Sequence, residues 1–309
     1  MAKAIIIGGG IIGLSSAWYL RNSGWDVQVL DRSDFSDNCS YGNAGYICPS
    51  HFVPLAAPGM VKTGLKWMWN SKSPFYVQPR LSKALLEWGW HFMRSATPAH
   101  LERSAVPLRD IALLSQQEYA SWSRQPGFHF AFEHKGLLEI FQTEAGLAHA
   151  RHSYEKALEL GLSDTRLLSR EEMQALEPDT EINGIGALFF GCDAHCYPNK
   201  LMKVLQEHLR ASGVELLANK EVTGFETKDG VISRLFCGAQ SFTADQWVLA
   251  TGSWSRELAT ALQLKLPLVP GRGYSLTLED SPYKVNYPAI LHEGRVAITP
   301  MDGNKIRFG

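Results

Sequence analysis

The sequence predicts an α/β protein interrupted by an α+β insertion. Three observations lead there. A strand, a glycine turn, a helix and a second strand occupy residues 4–31. A helix–glycine–strand rhythm returns at residues 199–217, and an apolar strand ending in small residues follows at 247–252. Between these regions, residues 76–190 read as helices and hairpins without that rhythm.

The first stretch is Ala4-Ile5-Ile6-Ile7-Gly8-Gly9-Gly10-Ile11-Ile12-Gly13-Leu14. An apolar run stops at glycines spaced G-x-G-x-x-G. Residues 15–20 continue with helical spacing, Gly24 marks the stop, and residues 27–30 form a second strand ending on Asp31. Strand, tight turn, helix, strand and acid make a dinucleotide-binding unit. Each glycine has a mechanical reason to be there. Gly8 turns the chain, Gly10 leaves the backbone open to a pyrophosphate, and Gly13 lets helix and strand approach. The helix N-terminus offers unpaired N–H groups to phosphate. Asp31 is placed to accept hydrogen bonds from ribose hydroxyls, and its charge disfavours a 2′-phosphate. The motif alone does not separate NAD from FAD.

Length and composition set the bounds. A chain of 309 residues favours two domains. Formal net charge is −1, which gives no basic surplus for a nucleic-acid partner. Five scattered cysteines fit reduced thiols of a cytoplasmic protein better than a disulfide framework. No stretch approaches the ~20 apolar residues of a membrane span. The apolar N-terminus lacks a signal-peptide cleavage site.

A polar loop follows Asp31. It leads into Cys39-Ser40-Tyr41-Gly42-Asn43-Ala44-Gly45-Tyr46-Ile47, where small residues can bring backbone N–H groups close to a ligand. Pro49, Pro54 and Pro58 keep the next stretch extended. Together with Gly8–Gly13 and Asp31-Arg32, the Ser40…Asn43-Ala44-Gly45 loop and Ala56-Ala57-Pro58-Gly59 resemble FAD-dependent D-amino acid dehydrogenases of the D-amino acid oxidase and glycine oxidase superfamily. Further matches are Ala250-Thr251-Gly252-Ser253, Gly273-Tyr274-Ser275-Leu276-Thr277 and Val296-Ala297-Ile298-Thr299, in the family's order. The resemblance spans the whole chain and implies FAD rather than NAD.

It also implies a Rossmann-like FAD-binding domain of the glutathione-reductase type at residues 1–75 and 191–262, with a substrate domain on a mixed or antiparallel sheet at 76–190 and 263–309. The implied FAD contacts are Gly8, Gly10, Ile11, Ile12, Gly13, Asp31, Arg32, Ser40, Asn43, Ala44, Gly45, Tyr46, Val222 (through its backbone), Ala250, Thr251, Gly252 and Trp254. Tyr46, His51 and Tyr274 are substrate-pocket candidates, set against plain packing or surface roles.

Residues 61–69 are amphipathic and Trp-rich, and Trp88, Trp90 and Phe92 follow in a helix expected at 81–95. Such aromatics are read first as core. The second reading is a peripheral contact with the inner face of the cell membrane, which a quinone-reducing member of the family would need. Helices are expected at 100–124 and from Thr143 to near Gly161, and a hairpin from 128–132 and 136–141. Ser169…Glu172 fits a capping box. Cys192-Asp193-Ala194-His195-Cys196 has no second Cys/His pair to complete a zinc site, so it is read as a loop with no metal. Lys228-Asp229-Gly230 turns a hairpin between 222–227 and 231–237, and Asp302-Gly303-Asn304 turns another. Ser253 or Ser255 is expected to cap the helix that ends at Leu262.

The implied reaction is oxidation of a D-amino acid to an imino acid, which water converts to a 2-oxo acid and ammonia. The acceptor is a quinone, with oxygen or another subunit as alternatives. No general base is named. A relative acting on secondary amines such as D-hydroxyproline or sarcosine is the second enzyme reading, and an NAD-dependent dehydrogenase the third. The family has a further segment with a carboxylate-binding arginine, expected here beyond Gly309. The chain is therefore read as incomplete, with an inactive flavin-binding fragment or partner subunit as the non-enzyme reading.

Overall fold

The computed structural model describes residues 1–59 and 82–309. The expected amphipathic segment at 61–69, and Leu81, lie outside the described residues. The chain forms two compact units, Met1–Gly42 with Pro198–Arg272, and Asn43–Tyr197 with Gly273–Gly309.

The first unit is built on a four-stranded parallel sheet in the order Gln246–Leu249, Lys3–Ile7, Asp26–Leu30, Glu215–Leu217. Ile5 and Ile6 are both fully buried, as expected of a parallel strand covered on two faces. On one face, Ile5, Ile7 and Leu30 pack against Leu235 of a three-stranded antiparallel sheet, Gly224–Lys228, Val231–Cys237 and Gln240–Phe242. Helices Ile11–Asn22 and Pro198–Ala211 pack on one another, and the buried residues of the latter, Leu201, Met202, Leu205 and Leu209, recur at helical spacing. The chain order reverses beside Lys3–Ile7. Its carboxyl end is the switch point where open α/β sheets bind ligands.

The second unit holds a seven-stranded sheet in the order Leu276–Leu278, Lys305–Phe308, Val296–Met301, Ala289–Leu291, Leu137–Phe141, Gly186–Phe190, Thr165–Ser169. Every pairing is antiparallel except Ala289–Leu291 with Leu137–Phe141. Period-two alternation divides the core. Leu137, Phe141, Leu188 and Phe190 face Ala150 and Ala157 of helix Glu144–Glu159. Leu138, Ile140, Ala187 and Phe189 face Met173 of helix Arg170–Leu176. A short antiparallel ribbon joins Tyr46–Ile47 to Ala194–His195, which places residues 43–47 in this unit. The division after Gly42 therefore falls well before the boundary near 75 expected from the sequence.

Local signals explain the helix ends. Thr143 Oγ1 accepts from Gly146 N at 3.1 Å, and Ser169 with Glu172 forms the reciprocal capping box. Pro98 opens helix Pro98–Ser123, two residues before the expected start, behind the Thr97 cap. Asp229 and Gly230 carry the positive φ values, 54° and 78°, of a tight hairpin turn.

Two expectations are corrected. Residues 128–132 are not a strand. Leu137–Phe141 already has Gly186–Phe190 on one edge and Ala289–Leu291 on the other, so a local partner has no edge left. Phe128 and Phe130 are buried as irregular chain instead. Neither Ser253 nor Ser255 caps helix Ser255–Ala261. Trp254 holds the cap position, and the Ser255 hydroxyl accepts from Thr251 Oγ1 at 3.1 Å.

Candidate functional site

The glycine turn lies at the carboxyl end of strand Lys3–Ile7. Gly8 adopts φ +112°, and a Cβ there would lie 2.4 Å from the Ala250 carbonyl oxygen. A Cβ at Gly13 would lie 1.8 Å from the Gly8 carbonyl oxygen. Both positions are closed to side chains by the fold itself. Gly10 differs. A Cβ there would meet only Ser40 Oγ at 3.4 Å, an ordinary contact. Packing inside the protein therefore does not demand glycine at Gly10, whereas close approach of a ligand to the backbone would.

Gly10 begins helix Ile11–Asn22 without a side-chain cap of its own. Ser40 supplies one from the following loop, its Oγ accepting from Ile11 N at 3.0 Å. Ile12 and Gly13 belong to the same first turn, whose N–H groups have no intrahelical acceptor. Ile12 is 67% exposed. The Ser40 loop is held in turn by Asn38, whose Oδ1 accepts from Ser40 N at 2.9 Å.

Asp31 Oδ2 accepts from Gly9 N at 2.6 Å, and Oδ1 accepts from Ser33 N and Ser33 Oγ, both at 2.7 Å. A carboxylate has about four acceptor positions. Three are used, and the fourth is on Oδ2. The Arg32 guanidinium lies over the Trp254 ring, 4.0 Å from its centre. Val222 packs its side chain with the core around Ile5 and Leu30. Ala250 N donates to Ile7 O at 2.8 Å, Thr251 precedes a short 3-10 turn, and Gly252 has φ +53°. The first unit thus gathers Gly8, Gly10, Ile11, Ile12, Gly13 and Ser40 at one turn, and pairs Arg32 with Trp254.

Asn43, Ala44, Gly45 and Tyr46 belong to the second unit. The Asn43 carbonyl accepts from Arg307 Nη1 at 2.7 Å, and Gly45 O accepts from Cys196 N at 2.9 Å. The Tyr46 phenol is built into the large sheet. Its oxygen accepts from Ile298 N at 3.0 Å and lies within donor reach of Ala289 O, 2.6 Å, and Ile298 O, 2.9 Å. Burial pushes this phenol above its ordinary pKa. The hydroxyl is engaged within the sheet rather than offered to a ligand, which corrects its place among the pocket candidates. His51 and Tyr274 are exposed, Tyr274 to 82%.

One buried group carries no signal in the sequence. Asp193 has no exposed surface; its Oδ1 accepts from Ser50 N at 3.0 Å and its Oδ2 from Ser50 Oγ at 2.6 Å. Burial raises this carboxyl above its usual pKa against the pull of the two Ser50 bonds. The Cys192 thiol also reaches Oδ1, at 3.4 Å. A partner 143 residues away leaves no local trace. His195 is buried with its pKa pushed down to about 4 by burial, and Cys196 is buried with its thiol raised to about 12. Among the described residues, no group of three or more His, Cys, Asp or Glu could hold a metal, and no helix is long and apolar enough to cross a membrane.

The chain is similar to proteins of known class. A D-amino acid dehydrogenase of Neisseria meningitidis serogroup C is 31% identical over 321 residues, covering 99% of this chain and 74% of that protein. One from Bradyrhizobium diazoefficiens is 30% identical over 319 residues with the same coverage, 99% and 74%. Among solved structures, a glycine oxidase of Bacillus cereus superimposes with TM-score 0.68 at 19% identity, covering 100% of this chain and 70% of that one. An L-amino acid deaminase of Proteus vulgaris, with its specific insertion sequence deleted, gives TM-score 0.73 at 17% identity, with coverages of 100% and 68%. These two likenesses speak to the fold. The family model described as FAD dependent oxidoreductase matches residues 3–309. The chain belongs to the family of FAD-dependent oxidoreductases.

Proposed function

We propose that the chain oxidises D-amino acids to 2-oxo acids and ammonia. The observation that carries this is 31% identity to a D-amino acid dehydrogenase along 99% of the chain. FAD, when bound, supplies the hydride acceptor for the substrate α-carbon.

The residues at the glycine turn fit that group. Gly10 leaves its backbone open for a diphosphate, and the first-turn N–H groups of Ile12 and Gly13 supply donors. Ser40, whose oxygen already accepts from Ile11 N, retains its hydroxyl proton for a phosphate oxygen. The open position on Asp31 Oδ2 suits a ribose hydroxyl. Arg32 and Trp254 are assigned near the nucleotide, with Ile11, Val222, Ala250, Thr251 and Gly252 as backbone neighbours. Gly8 and Gly13 shape the turn. Asn43, Ala44, Gly45 and Tyr46 enter this reading through their backbone.

His51 and Tyr274 remain the candidates for contacting substrate. No side chain is assigned as a general base, because an amine bound in its neutral form leaves no proton for one to take. Water completes the reaction by hydrolysing the imino acid. Electrons pass to a quinone, which calls for a peripheral contact with the inner face of the membrane.

A panel of D-amino acids and secondary amines, assayed with an artificial acceptor dye, tests the reading. Dye reduction and 2-oxo acid release with D-amino acids are expected. Turnover of secondary amines alone would replace the substrate class.

A further inference from the structure

Helix Lys83–Ser95 presents apolar side chains on two sides. Leu85, Trp88 and Phe92 are half-buried, and Trp88 and Phe92 rings lie 5.1 Å apart. On the opposite side, Leu86, Trp90 and Met93 follow the i, i+4, i+7 spacing of a single helical stripe. Their exposures are 67%, 49% and 54%, and no residue of the helix is fully buried. Single exposed apolar residues are ordinary. Three in line, with a Trp at the centre, form a surface.

The charges around the stripe narrow the choice of partner. Lys83 and Arg94 are exposed alongside it, against one exposed acid, Glu87. The Arg94 guanidinium sits over the Trp90 ring, 4.6 Å from its centre, and the His91 ring meets the same indole edge-on. This arrangement suits a lipid headgroup layer. An indole places an apolar body and a polar N–H at that level. Lys and Arg lay their stems along apolar surface while their charges reach outward to phosphate. The stripe is roughly 10 Å long by helical rise, too short to carry a protein interface of ~800 Å² per partner on its own.

We propose that Leu86, Trp90 and Met93 seat this helix in the headgroup region of an anionic bilayer, lying in the plane of the surface. The proposal deepens the functional reading and rests on it for the purpose of the contact. Lipid binding itself is measured without substrate.

The test is co-sedimentation of the full chain with vesicles rich in phosphatidylglycerol and with vesicles of phosphatidylcholine alone. Binding to the first and much weaker binding to the second are expected. The double variant Leu86→Ser, Met93→Ser should lose at least about fivefold of the bound fraction, since binding scales with buried apolar area. Ile111→Ser is the control, because Ile111 is an apolar residue of similar exposure, 65%, off this helix. It should bind like the wild type. Far-ultraviolet circular dichroism checks that both variants are folded. Vesicle quenching of indole fluorescence provides a second readout, and Trp90→Phe should remove most of it.

Four results would overturn the proposal: no wild-type binding, undiminished binding by the double variant, equal loss in Ile111→Ser, or equal binding to both vesicle types, because the choice of an anionic bilayer rests on charge. Turnover with a soluble dye acceptor should be unchanged in the double variant. Vesicle binding without D-amino acid turnover would sink the functional reading and leave the lipid contact standing.

Discussion

The ring of Phe35 fills the place where a side chain on Gly9 would go: a Cβ at Gly9 would lie 2.3 Å from Phe35 Cε1. Phe35 is 1% exposed and holds φ +67°, with its carbonyl fixed by Tyr41 OH at 2.9 Å and Gln206 Nε2 at 3.1 Å. Those bonds hold the Phe35 backbone, and the ring itself is packed in the core. Gly9→Ala is expected to lower stability by about 1–3 kcal/mol, the range for overpacking. Thermal unfolding of Gly9→Ala, Phe35→Ala and the double variant checks this. The double variant should be less destabilised than the sum of the two single ones. Simple additivity would mean that the contact is not what excludes a side chain.

Tyr46 gives a second prediction. Tyr46→Phe leaves Ile298 N and a carbonyl without their partner and is expected to cost about 1–3 kcal/mol. Chemical denaturation measures the cost. In an assay with substrate, the variant should keep its KM, because the hydroxyl is engaged in the sheet. A raised KM with unchanged stability would return Tyr46 to the pocket.

The third concerns pH. His292 Nδ1 lies 2.7 Å from Glu139 Oε1, and that hydrogen bond holds the imidazole above its ordinary pKa. The His149 ring stacks 5.2 Å from it, and burial lowers the pKa of that second histidine. A raised folded-state pKa stabilises the fold below the unfolded value of 6.5, and this contribution is lost as pH rises through the folded value. Both partners are partly exposed, so the effect should stay under about 1 kcal/mol. Titration by NMR should show His292 losing its proton later than His149. In Glu139→Gln, His292 should titrate closer to 6.5 and the loss of stability toward alkaline pH should flatten. An unchanged His292 titration in that variant would contradict the assignment.

What the sequence revealed and concealed follows from the range of the interactions. The βαβ unit was legible because the glycine spacing, Gly24 and Asp31 are all local signals. The capping box at Ser169 and the turns at Asp229-Gly230 and Asp302-Gly303 were legible for the same reason. Residues 128–132 misled, because alternating Phe128, Phe130 and Phe132 imitate a half-buried strand. Strand partners for Leu137–Phe141 come instead from nearly 50 and 150 residues downstream. The Tyr46 phenol finds its acceptors 243 and 252 residues away, so nothing near Tyr46 shows that its hydroxyl is spoken for. The division of Gly8, Gly10 and Gly13 by role, already read from the glycine spacing, has its physical reason in their surroundings: a Cβ finds room at Gly10 and none at Gly8 or Gly13.

That division tests the central claim, that the glycine turn holds FAD. Gly10→Ala meets only an ordinary contact with Ser40 inside the protein, so its stability should stay within about 0.5 kcal/mol of the wild type. The measurement is the visible absorption spectrum of wild type and Gly10→Ala after incubation with FAD and desalting, alongside a melting curve of each without cofactor. The wild type should retain the flavin band, and the variant should lose most of it while melting at nearly the same temperature. Equal retention of flavin by the two proteins would contradict the claim that FAD lies against Gly10.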